Sequence, residues 1–358
     1  MSTSKDKKAD KPLSVFQRRW RKFKTLKRGW YSFLALVVLY IMSFFAPLVF
    51  SSDALVVSYN GELRFPLFAD HIEAIDLGQR EIGSPNYRQL KEEYEEADEG
   101  NWVLLPLYPF GPIESLLLDP SLDNERPPTA PNAHHFLGTD DRGRDVLSRL
   151  VYGFQTSITF ALGMVLISYI IGMTFGAIFG FFGGRIDMFG QRLVEIWASM
   201  PFLYTVIIIS SIVQPSIKLL IPLLAMFSWV GISFYMRGEF LREKSKDYVA
   251  AAIAIGEPNH RIMFRHILPN ALTPIVSFAP FAIVGGISAL VSLDFLGFGL
   301  PAPTPSWGEL LNQGIAHIND WHLIVFPLCA LFMTLLMVVF IGEAIREAFD
   351  PKVFSRLR

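Results

Sequence analysis

The stretch Ile158–Phe182 reads ITFALGMVLISYIIGMTFGAIFGFF, twenty-five residues without a charge. A helix on a soluble protein keeps one polar face, so polar residues would recur every turn. Here no face is polar, and the run exceeds the ~20 apolar residues that a helix needs to cross the hydrocarbon layer. Lipid gives open backbone no hydrogen-bond partner, so a run of this kind must be helical. Comparable runs lie on both sides of it: Tyr31–Phe50, Trp197–Val213, Ile217–Tyr235, Leu272–Leu293 and Leu323–Ile341. The run at Trp197 is short and has Met200-Pro201 near its start. The expectation is an all-α polytopic membrane protein with about six transmembrane helices.

The formal net charge of −1 conceals strong segregation. Lys5, Lys7, Lys8, Lys11, Arg18, Arg19, Arg21, Lys22, Lys24, Lys27 and Arg28 precede the first run. Basic residues next to spans stay in the cytoplasm, so residues 1–30 are expected there, with 31–50 as the first helix. The basic stretch is long and no small-residue cleavage site follows, so the run reads as an anchor rather than an export signal. With an even number of spans, residues 346–358 (Arg346, Lys352, Arg356, Arg358) are cytoplasmic as well. The same alternation places Arg185–Arg192 and Arg237–Arg265 inside. Phe16, Trp20, Phe23 and Leu26 recur at helical spacing among the cations, which suits a helix in the headgroup region. A disordered basic tail is the alternative.

Residues 51–152 fall outside the membrane on this topology. Glu92, Glu93, Glu95, Glu96, Asp98 and Glu99 cluster there around Tyr94. Val57–Phe65 alternates around Asn60-Gly61, a favoured two-residue hairpin turn. The expectation is a small folded insertion with a disordered stretch at the acidic cluster. That cluster is either an attractor of cationic partners or a merely solvated face.

No phosphate-binding G-x-x-x-x-G-K-[ST], no H-E-x-x-H, no G-x-S-x-G and no close cysteine pair occurs in the sequence. The chain is therefore read as a non-enzyme without cofactors. His134-His135 lacks further ligands nearby, and the lone Cys329 reads as a small packing residue. Ion-coupled transport leaves ionisable residues deep in spans. Here Lys218 and Asp294 stand only at span ends, where side chains are expected to reach water. Energy must then come from a partner.

The cytoplasmic segment Asp247–Asn270 reads DYVAAAIAIGEPNHRIMFRHILPN. Tyr248–Ile255 is alanine-rich and predicts a short helix that another surface can approach closely. Gly256 suits a left-handed helix end, and Pro258 suits the first turn of a second helix. Pro269 precedes the next span. The position between two spans excludes a DNA-binding reading, so no nucleic-acid partner is expected.

This segment resembles the coupling loop of ABC importer permeases, whose motif runs E-A-A, three residues, G, then I/L-P. Ala251, Ala252, Gly256, Leu268 and Pro269 match, and Ala250 stands at the glutamate position. His135–Arg149 (HFLGTDDRGRDVLSR), with Gly138, Thr139, Asp140, Gly143, Arg144 and Asp145, resembles the segment before the second span in C-type permeases of dipeptide and oligopeptide importers. An EF-hand reading of its aspartates fails on spacing and on the opposing Arg142 and Arg144, which leaves a structural Asp–Arg turn. Ser292–Pro301 with Thr304–Gly308, carrying Asp294, Gly297, Gly299 and Trp307, resembles the family's outer loop. Gly342-Glu343-Ala344 and Asp350-Pro351 resemble its C-terminal end. The long outer insertion, with Tyr59-Asn60-Gly61 and Tyr108–Pro112, is similar to the Yej-type subgroup associated with microcin C and oligopeptide uptake.

The resemblance implies a type I importer permease core over residues 153–345, with its coupling loop at 237–270. It also implies a bacterial inner-membrane location and alternating access. The implied partners are a homologous second permease, a cytoplasmic ABC ATPase, a periplasmic peptide-binding protein and membrane lipid. Two rival readings are a secondary transporter, which predicts charges inside spans, and a membrane scaffold, which needs no cytoplasmic helix–turn–helix. An exporter of the same superfamily fits the importer-type loop poorly.

Overall fold

The computed structural model describes residues 15–68, 72–79, 83–117 and 126–349. Lys5, Lys7, Lys8, Lys11, Asp350-Pro351, Lys352, Arg356 and Arg358, together with the side chain of Phe16, lie outside these residues. Twelve α-helices are described: α1 Val15–Thr25, α2 Lys27–Ser43, α3 Tyr87–Ala97, α4 Val146–Phe182, α5 Gly184–Ala198, α6 Phe202–Ile212, α7 Ile217–Lys244, α8 Asp247–Ala254, α9 Asn259–Arg261, α10 Leu268–Phe295, α11 Trp307–Ala316 and α12 His322–Phe349. Three short strands, β1 Val56–Tyr59, β2 Glu62–Arg64 and β3 Trp102–Leu104, complete the fold.

Among the described residues four helices, α4, α7, α10 and α12, are each long and apolar enough to cross a membrane. The pair α5–α6 makes a fifth candidate, bent by 66°. The run at Trp197 is therefore not one straight helix: Trp197 lies in the last turn of α5, which ends at Ala198, and α6 starts at Phe202. Pro201 causes the break, because its ring lacks an N–H and disfavours helical backbone at Met200. The apolar run at Tyr31 forms the 17-residue α2 followed by a 3-10 turn at Ala46–Leu48.

The core of the bundle is the pairing of α4 with α7. A Cβ on Gly172 would lie 2.5 Å from the Trp229 carbonyl oxygen, and one on Gly180 2.6 Å from that of Arg237. Gly176, between them, rests on the Ser233 carbonyl. Spacing of four residues puts all three on one helix face, so the backbones touch where lipid supplies no hydrophobic drive. α10 packs across α4 and against α12, and α2 lies on α12. At Gly29 of α2 a Cβ would come 2.8 Å from the Phe340 carbonyl, and Tyr40 hydrogen-bonds Thr159 at 2.9 Å to tie α2 to α4. Cys329 is exposed on the outer surface of α12 rather than packed within the bundle, because it falls on that helix's outward stripe with Val325, Leu328 and Phe332.

The insertion folds as an antiparallel sheet in the order β2-β1-β3. Asn60 (φ 50°) and Gly61 (φ 81°) take the left-handed turn expected of the hairpin, with Tyr59 opposite Glu62. The acidic cluster is not disordered. It forms α3, capped by Asn86 through the Gln89 N–H at 3.3 Å. Tyr87, Leu90 and Tyr94 share one face of α3 and bury against Val57, Leu77 and Val103, which repays the ordering of the helix. Burial pushes the Tyr94 phenol up to about 12, and its hydroxyl donates to the Leu77 carbonyl at 2.6 Å. Glu92, Glu93, Glu95 and Glu96 occupy the solvated side.

Gly176→Leu should drive a side chain into the α7 backbone. Overpacking costs of about 1–3 kcal/mol are usual, and backbone on the far side cannot relax, so a loss at the upper end is expected. A fall in the thermal midpoint of detergent-purified protein measures it, and an unchanged midpoint would show that the helices do not approach this closely.

Candidate functional site

At the insertion end, Gly138–Arg149 turns back on itself before α4. Asp145 is the N-cap: its Oδ1 accepts the Ser148 N–H at 2.8 Å. Its Oδ2 accepts the Tyr108 hydroxyl at 2.6 Å and lies 2.9 Å from His135 Nδ1. An ionised carboxylate only accepts, so Nδ1 of His135 carries the proton. Burial and the adjacent Asp145 push the Tyr108 phenol well above its usual value. His135 is fully buried under Phe110, so the His134-His135 pair is split, one ring structural and the other at the surface.

Asp140 holds the turn. It accepts from the Arg142 and Arg144 N–H groups at 3.0 and 2.9 Å and from Arg144 Nε at 2.7 Å. Gly143 (φ 71°) permits the reversal. Gly138 (φ 78°) leaves no room for a side chain, since a Cβ would meet the His322 ring at 2.9 Å. Thr139 is buried and bonds Thr129 through its hydroxyl at 2.8 Å. The nearby Asp141 carboxyl is pushed up by burial and by Asp140.

Arg149 is completely buried in the first turn of α4. Its guanidinium donates to the Pro112 carbonyl at 3.0 Å and to those of Pro303 and Thr304 at 3.4 and 3.5 Å, and it pairs with Glu309. Arg144 reaches the same Glu309 at 3.0 Å. The outer loop joins this junction. Trp307 donates its indole N–H to the Leu150 carbonyl at 3.0 Å, where Gly153 leaves space for the ring. Asp294 does not reach water: it is 7% exposed, accepting the Leu300 N–H at 2.6 Å and the Ser306 hydroxyl at 2.5 Å. Its helix end is roofed by the Gly299–Ser306 loop, and Gly299 is required because a side chain would strike that carboxylate. Gly297 (φ 79°) lies away from the junction with open space around it.

Two sequence segments 150 residues apart thus form one site, and its central acid, Glu309, was not among the expected residues. A signal existed: Ser306 to Glu309 has capping-box spacing, and Ser306 does cap α11, accepting the Glu309 N–H at 3.3 Å. The glutamate side chain turns instead to the arginines. Arg149 and His135 bound the His135–Arg149 motif and Tyr108 opens the Tyr108–Pro112 stretch, but no local pattern singles out these three side chains.

At the opposite end, α7 runs into α8. Glu243, only 2% exposed, accepts from Lys246 at 2.7 Å and from the Tyr248 hydroxyl at 2.9 Å. Val249 and Ala252 bury against Met236, Phe240, Ile262 and Ile267, with Leu268 packed alongside. Ala250, Ala251, Ile253, Ala254 and Ile255 face outward. Gly256 is left-handed (φ 78°) as expected, while Pro258 stands one position earlier than expected, as the N-cap residue of α9. A π-helical turn at Ile262–Ile267 follows, just before Pro269, whose ring would crowd the Arg265 carbonyl in a regular helix. Pro269 is exposed in the first turn of α10. His266 and Glu257 pair at 2.6 Å across the turn.

Between the two ends lies an open cleft of about 410 Å³ among α4, α6, α7 and α10. Ser168, Tyr169, Ser228, Tyr235 and Phe278 line it, so hydroxyls punctuate an otherwise apolar wall.

A bundle of spans with a buried polar junction at one end and a short exposed helix at the other has a counterpart among known proteins. Residues 172–355 match the family described as binding-protein-dependent transport system inner membrane component. The inner membrane ABC transporter permease protein YejE of Escherichia coli (strain K12) is 37% identical over 340 residues, covering 94% of this chain and 97% of that one. The peptidoglycan transport system permease protein YejE of Agrobacterium fabrum is 36% identical, covering 94% and 93%. The oligopeptide transport system permease protein OppC of Haemophilus influenzae is 38% identical over 221 residues, covering 61% and 71%. The chain belongs to this family of inner-membrane permeases of ABC importers. The insertion lies outside the stretch that matches the family as a whole, whereas alignments over 94% of the chain must run through most of it.

Glu309→Gln should leave Arg149 buried beside a neutral partner. Breaking a buried pair from one side costs about 3–5 kcal/mol, and a loss of that order in unfolding free energy is expected. Thermal or denaturant unfolding of the purified chain reads it, and a loss below ~1 kcal/mol would show the pair to be solvated.

Proposed function

We propose that this permease moves peptides across the inner membrane, oligopeptides and microcin C-like peptides among them, by alternating access driven by a partner ATPase. The observation that carries the ATPase assignment is the outward face of α8. Ile255 is 77% exposed, and Ala250, Ala251, Ile253 and Ala254 extend the same small apolar face. The exposed charged or polar residues Arg242, Lys246, Asp247, His260, Arg261 and Arg265 flank it, together with the exposed ring of Phe264. An apolar patch rimmed by polar residues marks a protein interface. Small side chains let a helix seat deeply in a groove, and Ala250 makes that seating steric rather than charge-based. The Glu243–Tyr248 contact and the burial of Val249 fasten α8 to α7, so force applied at α8 reaches the bundle.

The remaining assignments follow from this one. The α8 end is cytoplasmic, as are both termini, in agreement with the basic residues beside the spans. A homologous second permease closes the open cleft between α4, α7 and α10, where hydroxyls can meet peptide backbone without demanding a sequence. A peptide-binding protein delivers at the insertion end, near the Asp294–Trp307 loop. The relatives' names supply the peptide class. A secondary transporter is disfavoured because the buried charges of α4, α7 and α10, Arg149, Glu243 and Asp294, are held by contacts near the helix ends and do not line the cleft.

The test is co-purification from detergent-solubilised membranes of wild type and Gly256→Glu. Wild type should bring an ATPase and a second permease. The variant, with a charge added beside α8 at a left-handed position, should reach the membrane in normal yield but lose ATPase affinity by about ten-fold or more, equivalent to ~1.4 kcal/mol. An ATPase indifferent to Gly256, or wild type recovered alone, would return the scaffold and secondary-transporter readings.

A further inference from the structure

The helices α1 and α2 meet at a one-residue elbow, Leu26. With α2 taken as the first span, as its apolar run indicates, the elbow marks the point where the chain leaves the hydrocarbon and α1 lies against the membrane boundary. Val15–Arg28 contains Arg18, Arg19, Arg21, Lys22, Lys24, Lys27 and Arg28 and no acidic residue. The cations divide by direction. Lys22 turns inward to Glu347 of α12, donating to its carbonyl at 3.0 Å, and Arg19 lies over the Phe349 ring at 4.9 Å. Phe23 buries among Ile341, Ala344 and Ala348, which pins α1 to the end of α12. Arg21, Lys24, Lys27 and Arg28 are exposed.

Two further features are arranged around these exposed cations. Trp20, Phe23, Trp30 and Phe33 form an aromatic cluster with centroids 5.5–6.0 Å apart, and Lys24 Nζ stands 5.8 and 5.4 Å from the Trp20 and Trp30 rings. Tryptophan rings settle at headgroup depth. Below Lys27, on the same face of α2, Tyr31, Leu34 and Val38 are exposed by 64%, 39% and 51%. Spacing of three and four residues makes this one continuous stripe, cationic at the top and apolar below.

We propose that the α1–α2 elbow is a docking site for an anionic phospholipid, its phosphate held by Arg21, Lys24, Lys27 and Arg28 and an acyl chain lying along Tyr31, Leu34 and Val38. A free phosphate would use only the cations and leave the stripe without purpose. The stripe's continuity with the membrane span selects a lipid over a soluble protein. The acids on the neighbouring element are Glu343 and Glu347, and Lys22 already answers Glu347. Bound lipid would bridge α1, α2 and, through Phe23, the end of α12.

The experiment uses the full chain in detergent, titrated with phosphatidylglycerol, phosphatidylcholine or inorganic phosphate, with bound lipid counted by native mass spectrometry and thermal midpoints recorded. Juxtamembrane cations contribute on the order of 1 kcal/mol each at an anionic surface, so wild type should prefer phosphatidylglycerol by at least ten-fold. Two variants, Lys27→Gln with Arg28→Gln and Arg21→Gln with Lys24→Gln, should each lose most of that preference, and one remains readable if the other misfolds. Arg64→Gln, at a half-buried cation on the insertion, should keep it. Equal retention of both lipids, stabilisation by phosphate alone, or a preference that survives both variants would overturn the proposal. So would variants that lose a co-purifying ATPase while keeping their lipid, since the elbow would then serve the ATPase. Failure of the ATPase assignment at Gly256 leaves these readouts untouched.

Discussion

Arg149 is the charge around which the insertion end is built. Removing a guanidinium from water costs several kcal/mol, and only close, well-directed partners offset it. Those partners come from separate parts of the chain: the Pro112 carbonyl from the insertion, Pro303 and Thr304 from the loop after α10, and Glu309 from α11. Asp140, in the turn before α4, lies within 3.5 Å and binds Arg144, which shares Glu309. None of these segments can drift without leaving a buried ion short of a partner. The convergence of insertion, turn, outer loop and α11 is therefore a consequence of one desolvated residue.

That constraint is carried far because α4 is a single helix. At 1.5 Å per residue its 37 residues span about 55 Å, longer than the ~30 Å hydrocarbon layer. Its first turn is fixed by the Asp145 cap and Arg149, and its last turns press Gly172, Gly176 and Gly180 onto α7. α7 in turn carries Glu243 in its last turn, where α8 is seated. The two ends of the protein are thus joined by two stiff elements in backbone contact. They differ in character: the insertion end is ion-paired and closed, while the α8 end offers small exposed side chains beside a left-handed glycine. The first is suited to hold its shape and the second to be grasped.

Much of this could be read in the sequence, and the exceptions share a cause. Uncharged runs announce spans, because lipid imposes a composition that no neighbour can alter. Gly256 and the Asn60-Gly61 turn were legible because backbone geometry selects the residue type directly. The acidic stretch around Tyr94 reads locally as disordered yet is helical: Tyr87, Leu90 and Tyr94 keep helical spacing, but the strands that cover them come from either side of it in the chain. Asp294 was misplaced at the water boundary for a similar reason, since the loop that roofs it follows the helix and leaves no periodic trace. Glu309 was missed because its arginine partners lie 160 and 165 residues away. Local chemistry is visible in a sequence; partners supplied by distant segments are not.

The same network explains why the insertion is more than an ornament on a permease core. Tyr108 supplies a hydrogen bond to Asp145, the cap of α4, and the Phe110 carbonyl accepts the hydroxyl of Ser148 at 2.7 Å. Arg88 of α3 reaches the Pro109 carbonyl at 2.6 Å and pairs with Glu114 at 2.7 Å, so the insertion's own helix braces the segment that delivers these groups. Without it the α4 cap would lose a donor and Arg149 the Pro112 carbonyl, both in places that water does not reach. In this chain the insertion is hydrogen-bonded directly to the first turn of α4, so a load on the insertion would bear on the longest helix of the bundle.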